Sequence, residues 1–368
     1  MPRPIADAPS PHPPGTAVDT APISASRRLL VVMPSWVGDC VMATPVLRAV
    51  RAHCAAGDRG TFIAAYLRPH LSPLFESGGL FDACVAGRPG GFLGPGSEAR
   101  RLRAHGFDTA LVLPNSFRAA WTIWLARIPR RIGYDRDKRG WLLSDRVPCP
   151  TPAGWHQPIP LIEYYLKLVA PFGVKPPDDA SPGLAPAEVE TARTRNLLAA
   201  QGLDPARPIA LLNPGASKPG KRWPADRFAA LADRLHDTHD IQVVINGSPE
   251  ERGLTRDVVG RIRRAKTLDL AQNETTLAML AALCGLAELV VTNDTGTRHI
   301  AAAVGFERLR NNEPAPGIVT IFGTVHPEWT TLNYAKEREL FDRNTGRIDA
   351  IGLDEVTEAC HKVIANTT

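Results

Sequence analysis

A chain of 368 residues, 44% hydrophobic and 22% charged, is long enough for two domains of ordinary size and has the composition of a soluble globular protein. No window approaches 18 uncharged apolar residues, and the first residues lack a basic segment followed by an apolar core. We therefore expect neither a membrane span nor a secretory signal. The net charge of +5 is uneven, because residues 1–180 carry 21 Lys and Arg against 14 Asp and Glu, whereas the remainder carries 22 against 24. Either an anionic partner of the first half or a solubilising surface would account for this asymmetry.

The first 26 residues are rich in Pro, Ala and Ser, a composition that predicts a disordered tail. None of the six cysteines forms a CxxC pair, and none has zinc-ligand spacing. Scattered cysteines in a chain without a signal are typical of a reducing cytoplasm. They are Cys40, Cys54, Cys84, Cys149, Cys284 and Cys360.

In the first half, apolar runs that predict strands alternate with segments of helical periodicity. Strands are predicted at RRLLVVMP, GTFIAAYL and FDTALVLP, and helices at ATPVLRAVRAH and SFRAAWTIWLARI. A Pro-rich interval at 171–186 interrupts the pattern. Strands following helices in this way indicate a parallel sheet with crossover connections.

The alternation then restarts. Strands are predicted at PIALLNPGAS, IQVVINGSPEER, ELVVTN and GIVTIFGT, and helices at PADRFAALADRLHD, TTLAMLAALCGLA and after TNDTG. Phe228, Leu231 and Leu235 should share one buried helix face. The fold class is therefore α/β, with two Rossmann-like domains facing across a cleft.

The predicted organisation has five parts along the chain. They are the tail (1–26), an N-terminal domain (27–175), a linker region (176–205), a C-terminal domain (206–345) and a C-terminal helical segment (346–368). Ligands of such sheets bind outside the carboxyl ends of the strands, so the turns after strands are the informative ones.

The first of these turns, SWVGD, places Gly38 and Asp39 at the start of a helix. The aspartate could cap the helix or handle a ligand. The second, NPGASKPGKRWP, is a small, glycine-rich loop with Ser217 and Lys221 before a helix, and this arrangement suits phosphate. It does not match the P-loop pattern, because Arg222 stands where Ser or Thr is required.

The third turn, NGSPEER, contains Glu250 and Glu251, which could accept hydrogen bonds from a ribose or simply be solvated or capping residues. The fourth, TNDTGTRH, concentrates polar groups and a glycine at the next helix start, a good diphosphate site. Its candidates are Asp294, Thr295, Gly296 and His299.

No GxGxxG, GxSxG or HExxH motif is present. A basic segment with aromatic residues at 121–141 could contact an anionic acceptor, although we expect its tryptophans to lie in the core. Neither DRD (135–137), inside that segment, nor DD (178–179), in the linker, stands in a turn suited to hold a metal.

Together, VVMPSWVGDCVMATPVLRAVR, LVLPNSFRAAW, ARIPRRIGY, NPGASKPGKRWP and VVTNDTGTRHIAAA resemble glycosyltransferase family 9, the ADP-heptose:lipopolysaccharide heptosyltransferases, and most closely heptosyltransferase II. The resemblance runs from about residue 28 to 340. It implies the GT-B fold and inverting transfer of heptose from ADP-heptose to heptosyl-Kdo2-lipid A of the lipopolysaccharide inner core. It also implies a monomer at the cytoplasmic face of the inner membrane, with no metal, cofactor or nucleic acid.

By this resemblance Asp39 is the catalytic base and Lys221 assists the departing diphosphate. A base at a helix N-terminus should be ionised at neutral pH. The donor-binding residues implied are Ser217, Glu251, Asp294, Thr295, Gly296 and His299, and the acceptor-side candidates are Asn115, Ser116, Arg118 and Arg131.

Three alternatives remain at this point. A family member could use another nucleotide sugar or acceptor, and a non-catalytic homologue could only bind the sugar nucleotide. The sequence pI of about 9.0 alone would suggest a nucleic-acid-binding protein, but no binding motif accompanies it.

Overall fold

The computed structural model describes residues 21–57, 60–87, 94–150, 159–323 and 327–366. Most of the predicted tail and the last two residues of the predicted C-terminal segment lie outside these ranges. Within them, no helix is both long and apolar enough to cross a bilayer.

The first domain is a parallel sheet with helices on both faces. Its strands are β1 (Arg28–Val32), β2 (Phe62–Leu67), β3 (Ala83–Ala86), β4 (Thr109–Val112), β5 (Arg130–Asp135) and β6 (Asp145–Pro148). Its helices are α1 (Val37–Met42), α2 (Thr44–Ala55), α3 (Ser72–Phe75), α4 (Gly94–Ala104), α5 (Phe117–Leu125) and α6 (Leu161–Val169). The described strands are ordered β3-β2-β1-β4-β5-β6, the doubly wound Rossmann order.

The second domain repeats this plan. Its strands are β7 (Ile209–Asn213), β8 (Gln242–Ile245), β9 (Thr267–Asp269), β10 (Leu289–Asn293), β11 (Gly317–Phe322) and β12 (Glu337–Phe341). Its helices are α7 (Glu188–Ala200), α8 (Ala225–His239), α9 (Arg252–Arg261), α10 (Leu277–Leu286), α11 (Gly296–Arg310) and α12 (Leu353–Ala365). The order β12-β11-β10-β7-β8-β9 is the same topology. The predicted α/β class with two Rossmann-like domains is confirmed.

The central strand of each sheet is a continuous apolar run because helices cover both of its faces. In β1, Leu29 to Val31 are fully buried, and Leu30 pairs with Ala64 of β2 and Ala110 of β4. The predicted apolar face of α8 is also confirmed, since Phe228, Leu231 and Leu235 are fully buried.

The end of the predicted disordered tail belongs to the folded domain. Ile23 is completely buried in the core, and the Ser26 hydroxyl donates to Oγ1 of Thr109 at 2.7 Å. The predicted boundary at residue 26 is therefore wrong for residues 21–26. The prediction failed because it rested on the average composition of the segment. Composition does not show that a single isoleucine, Ile23, fills a site in the core.

The predicted linker region is held by one arginine from each domain. Arg48 of α2 donates to the carbonyl oxygens of Asp179 and Ser181, at 3.1 and 2.6 Å. Arg310 of α11 forms an ion pair with Asp179 at 2.6 Å and also donates to the Ser181 carbonyl at 2.9 Å. The same region contains α7, which packs against α10. The segment at Asp179 and Ser181 therefore connects the first half of α2 with the C-terminal end of α11.

Candidate active site

Asp39 lies in the first turn of α1, directly after β1. The residue at the N-cap position is Trp36, and no side chain caps this helix start. Burial raises the pKa of Asp39 to about 6 and is the only cause of that shift. The carboxylate form therefore predominates at neutral pH, but burial raises the proton affinity of Asp39, whereas the helix N-terminus was expected to lower it. Such a carboxylate is suited to accepting a proton near pH 7.

The start of α11 lies directly against α1. Thr295 occupies the N-cap position, and its side chain makes no capping hydrogen bond. A Cβ added to Gly296 would lie 2.8 Å from Cβ of Val37, so only glycine allows this approach. Uncapped amides at the positive end of a 15-residue helix form an anion-binding arrangement.

His299 occupies the contact between these two helices. A Cβ on Gly38 would lie 2.6 Å from Cδ2 of His299. The ring is 4% exposed, and its Nδ1 has no hydrogen-bond partner within the described ranges. Burial, followed by the charge of Arg298, lowers the pKa of His299 to about 3. A neutral imidazole therefore stands beside the turn that carries Asp39.

Lys221 is brought to the same place from the loop after β7. Its Nζ lies 3.2 Å from Oδ2 of Asp294, in an ion pair that is largely shielded from solvent. The loop passes close to Gly323, just after β11. Ser217, in the same loop, is exposed. The Lys221 ammonium group thus contacts Asp294, two residues before α11 begins at Gly296, where an anion would bind.

Two buried asparagines, one at the end of each central strand, hold these turns. Asn293 accepts from the Trp223 amide at 3.1 Å and donates to the Pro214 and Gly215 carbonyls at 2.9 and 3.1 Å. It therefore fixes both ends of the Lys221 loop. Its counterpart Asn213 donates from its side-chain amide to the Thr295 hydroxyl at 3.3 Å and accepts from the Thr297 hydroxyl at 3.2 Å, at the start of α11. The sequence places both asparagines in the informative turns, but it does not indicate that they hold those turns together.

Glu251 lies at the other side of the Lys221 loop. Its Oε2 accepts from the Ser248 amide at 3.0 Å in a capping box, and its Oε1 is 3.8 Å from Arg222. A Cβ on Gly215 would overlap this carboxylate, so the loop backbone lies directly against it. The residue therefore caps a helix while remaining beside the proposed donor loop.

The acceptor-side candidates Asn115 and Ser116 follow β4. The side-chain Oδ1 of Asn115 accepts from the Tyr164 hydroxyl at 3.1 Å, and the Ser116 hydroxyl accepts from the Ala119 amide as the N-cap of α5. The Tyr164 ring also contacts Trp329 of the second domain, with centroids 6.2 Å apart. Asn115 therefore lies on the side of the first domain that meets the second.

Arg139, which sequence analysis missed, holds the turn after β4 in place. It is fully buried, donates to the carbonyl oxygen of Pro114 and lies 3.4 Å from Oδ1 of Asn115. Burial lowers the pKa of this guanidinium to about 10. In the sequence, Arg139 is one of several arginines in a basic segment. Only the fold shows that this one is buried.

Arg118 is exposed on the first turn of α5, but Arg131 is not brought to the other candidates. Arg131 is the second residue of β5, and the amino end of a parallel strand is opposite the ligand-binding edge. Its guanidinium donates instead to the carbonyl oxygens of Ile128, Pro129 and Leu142. A structural role accounts for all of these contacts.

The expectation that the tryptophans of segment 121–141 lie in the core is wrong for two of the three. Trp124 is 42% exposed and Trp141 is 57% exposed, whereas Trp121 is partly buried. Helical spacing shows which residues share a face but not whether another element covers that face.

No group of three or more His, Cys, Asp or Glu side chains that could hold a metal ion occurs within the described ranges.

Comparisons with known proteins agree with this geometry. The profile of glycosyltransferase family 9 (heptosyltransferase) matches residues 96–339. Lipopolysaccharide heptosyltransferase 2 of Escherichia coli K12 is 31% identical over 316 residues, covering 82% of this chain and 84% of that protein.

Two solved structures have the same architecture. That of E. coli ADP-heptose lps heptosyltransferase II has a TM-score of 0.75 at 26% identity, covering 92% of this chain and 99% of the other. A family 9 glycosyltransferase from Veillonella parvula has a TM-score of 0.77 at 19% identity, covering 92% and 97%, and shows the fold alone. The expected GT-B fold is confirmed.

Proposed function

The chain belongs to glycosyltransferase family 9, and we propose that it transfers heptose from ADP-heptose to the inner core of lipopolysaccharide with inversion of configuration. The observation that carries the proposal is the contact between the starts of α1 and α11. The turn of α1 that carries Asp39 packs against an uncapped helix N-terminus, an arrangement that supports a single displacement between an acceptor hydroxyl and a diphosphate ester with Asp39 as proton acceptor.

In the proposed reaction an acceptor hydroxyl oxygen attacks the anomeric carbon of the donor. Asp39 takes the hydroxyl proton, the new glycosidic bond forms, and the bond to the ADP oxygen breaks on the opposite face. A general base of this kind contributes about 10² to 10⁴ in rate. Its raised pKa strengthens it as a base while leaving it mostly ionised at pH 7.

Negative charge gathers on the leaving diphosphate. Lys221 and the amides from Gly296 onward would stabilise it, because donors arranged before the reaction need no reorganisation. Ser217 would add a hydroxyl contact. Asp294 orients Lys221 through the 3.2 Å ion pair. Asn213 and Asn293 fix the position of the Lys221 loop relative to the start of α11.

The remaining proposed donor contacts lie at the same edge of the second sheet. Glu251 has lone pairs beyond those used by Ser248 and would accept from the adenosine ribose. Thr295 and the neutral His299 would contact the diphosphate or the sugar. His299 could offer its Nδ1, which has no partner within the described ranges.

On the acceptor side we propose Asn115, Ser116 and Arg118 as contacts to the anionic inner core. Arg131 is not included, because its guanidinium is satisfied at the opposite edge of the sheet. We propose that the enzyme acts as a monomer. The lipid part of the acceptor implies that it works at the cytoplasmic face of the inner membrane.

The test is mass spectrometry of the product from a defined acceptor, heptosyl-Kdo2 with its lipid removed, incubated with ADP-heptose. We expect one heptose to be added, and transfer by Asp39→Asn at least about a hundredfold slower. Parallel reactions with GDP- and UDP-sugars test for another donor. Transfer from one of these in place of ADP-heptose would contradict the proposed donor. Tight ADP binding without transfer or donor hydrolysis would indicate a non-catalytic homologue.

A further inference from the structure

Four aromatic side chains form one surface cluster on the first domain, beside the proposed acceptor site. Phe117 contacts Trp121 and Trp141, with ring centroids 6.3 and 6.1 Å apart, and Trp124 contacts Trp141 at 6.0 Å. Three of the four are at least 42% exposed. We call Phe117, Trp121, Trp124 and Trp141 the aromatic cluster.

This cluster stands out against the rest of the described surface. Six large hydrophobic side chains are exposed there, and three of them are in the cluster. The others, Trp36, Val189 and Leu309, are not among its ring contacts. Contiguous exposed aromatic surface of this kind marks an interaction site, whereas isolated exposed residues do not.

Each exposed ring of the cluster has an exposed cation close to it in the chain. Arg118 follows Phe117, Lys138 precedes Trp141 by three residues, and the Arg127 amide is bonded to the Trp124 carbonyl at 3.0 Å. Across Phe117–Trp141 the exposed charged side chains are three cations, Arg118, Arg127 and Lys138, and two carboxylates, Asp135 and Asp137. The exposed cations therefore outnumber the exposed carboxylates on this segment.

Aromatic rings and cations on one surface are complementary to an anionic bilayer. Indole rings settle at the boundary between headgroups and hydrocarbon, and Lys or Arg side chains extend to the lipid phosphates. We propose that the aromatic cluster with Arg127 and Lys138 is the surface by which this enzyme docks on an anionic phospholipid membrane.

The cluster lies beside the proposed acceptor site, so docking would bring that site to the membrane that holds the acceptor. This step rests on the proposed function. Ser116, an acceptor-side candidate, is the N-cap of α5, and Phe117 is the first residue of that helix. An acceptor anchored by its lipid would therefore reach the cleft from the same bilayer that the rings enter.

The experiment uses full-length protein and vesicles of phosphatidylethanolamine with phosphatidylglycerol, or of phosphatidylcholine alone. We expect co-sedimentation with the anionic vesicles only, weakened by salt, and a blue shift of tryptophan fluorescence. Trp124→Gln/Trp141→Gln should weaken binding about tenfold or more. Lys138→Asn should weaken it about fivefold on anionic vesicles, and Asn tolerates the positive φ of 58° at this position.

The matched control is Val189→Gln/Leu309→Gln, which removes two exposed apolar side chains on helices of the second domain and should leave vesicle binding unchanged. Unchanged binding by the tryptophan variant, or equal binding of wild type to both kinds of vesicle, would overturn the proposal. So would a dimer that the tryptophan substitutions dissociate, without any vesicle binding.

Transfer to the lipid-free acceptor separates this proposal from the proposed function. The tryptophan variant should retain wild-type rates with that acceptor. If neither protein transfers heptose but only wild type binds anionic vesicles, the function is refuted while the docking surface stands.

Discussion

Gly38 and His299 lie so close together that position 38 has no room for a side chain, since a Cβ there would be 2.6 Å from Cδ2 of the histidine. The histidine ring is enclosed between the two domains and cannot swing away as an exposed side chain would. The residue before the proposed base therefore sets how closely α1 approaches the donor turn.

Gly38→Ala should destabilise the fold by about 1–3 kcal/mol, as overpacking does, and reduce kcat at least about tenfold because Asp39 is displaced. Adding His299→Ala should recover most of the lost stability, since the two positions are coupled. Thermal unfolding of wild type, the two single variants and the double variant measures this coupling. Gly253→Ala is the control, because nothing lies within 4 Å of its Cβ. Equal melting temperatures for Gly38→Ala and Gly253→Ala would contradict the close contact.

Asp39→Asn should abolish most turnover without destabilising the protein. The folded pKa, about 6, lies above the ordinary value of 3.8. The folded state thus binds the proton more tightly, and stability falls as pH rises from about 4 to 6. At pH 7 the neutral amide removes this penalty, so the variant should be as stable or up to about 3 kcal/mol more stable. Denaturant unfolding at pH 7 beside single-turnover rates provides the measurement. A marked loss of stability would instead indicate a capping role for Asp39.

The same pKa predicts the pH dependence of the reaction. Only the carboxylate form of Asp39 can accept the proton, so kcat/KM should decline about tenfold per pH unit below pH 6 and level off above it. ADP affinity measured over the same range controls for titration of the donor. An acidic limb centred near pH 4 would show that burial does not raise the pKa of the base.

Lys221→Ala should lower kcat more than it weakens ADP affinity, because charge on the leaving oxygen is greatest in the transition state. Lys221→Arg should restore activity only partly, since a planar guanidinium does not replace a compact ammonium. Lys218→Ala, an exposed lysine of the same loop, is the matched control. Steady-state kinetics with ADP as competitor separates the two effects, and an unchanged kcat in Lys221→Ala would exclude that lysine from the site.

Ile23→Ala should destabilise the protein by about 2–5 kcal/mol, as loss of a fully buried branched side chain does. The comparison is Val189→Ala, which is 65% exposed and should change stability by less than about 0.5 kcal/mol. Chemical denaturation of both variants tests whether residues 21–26 belong to the folded domain. Equal stabilities of the Ile23→Ala and Val189→Ala variants would show that residues 21–26 belong to the tail, as the sequence predicted.

The sequence by itself determined the alternation of strands and helices and the turns that matter. Central strands such as β1 and β10 are covered on both faces, so they appear as unbroken apolar runs. Turns that follow them are restricted to one edge of the sheet, and their polar residues, from Asp39 to His299, could therefore be singled out in advance.

The tertiary structure decided what local pattern does not encode. Five strands escaped prediction. β3, β6, β9 and β12 are the edges of their sheets, where short and partly exposed strands lack an apolar run, and the interior strand β5, RRIGYD, begins with two arginines and lacks one as well. Burial of Ile23 and exposure of Trp141 depend on which surfaces other elements cover. The contact of Gly38 with His299 joins residues more than 250 positions apart, and only the packing of the two domains brings them together.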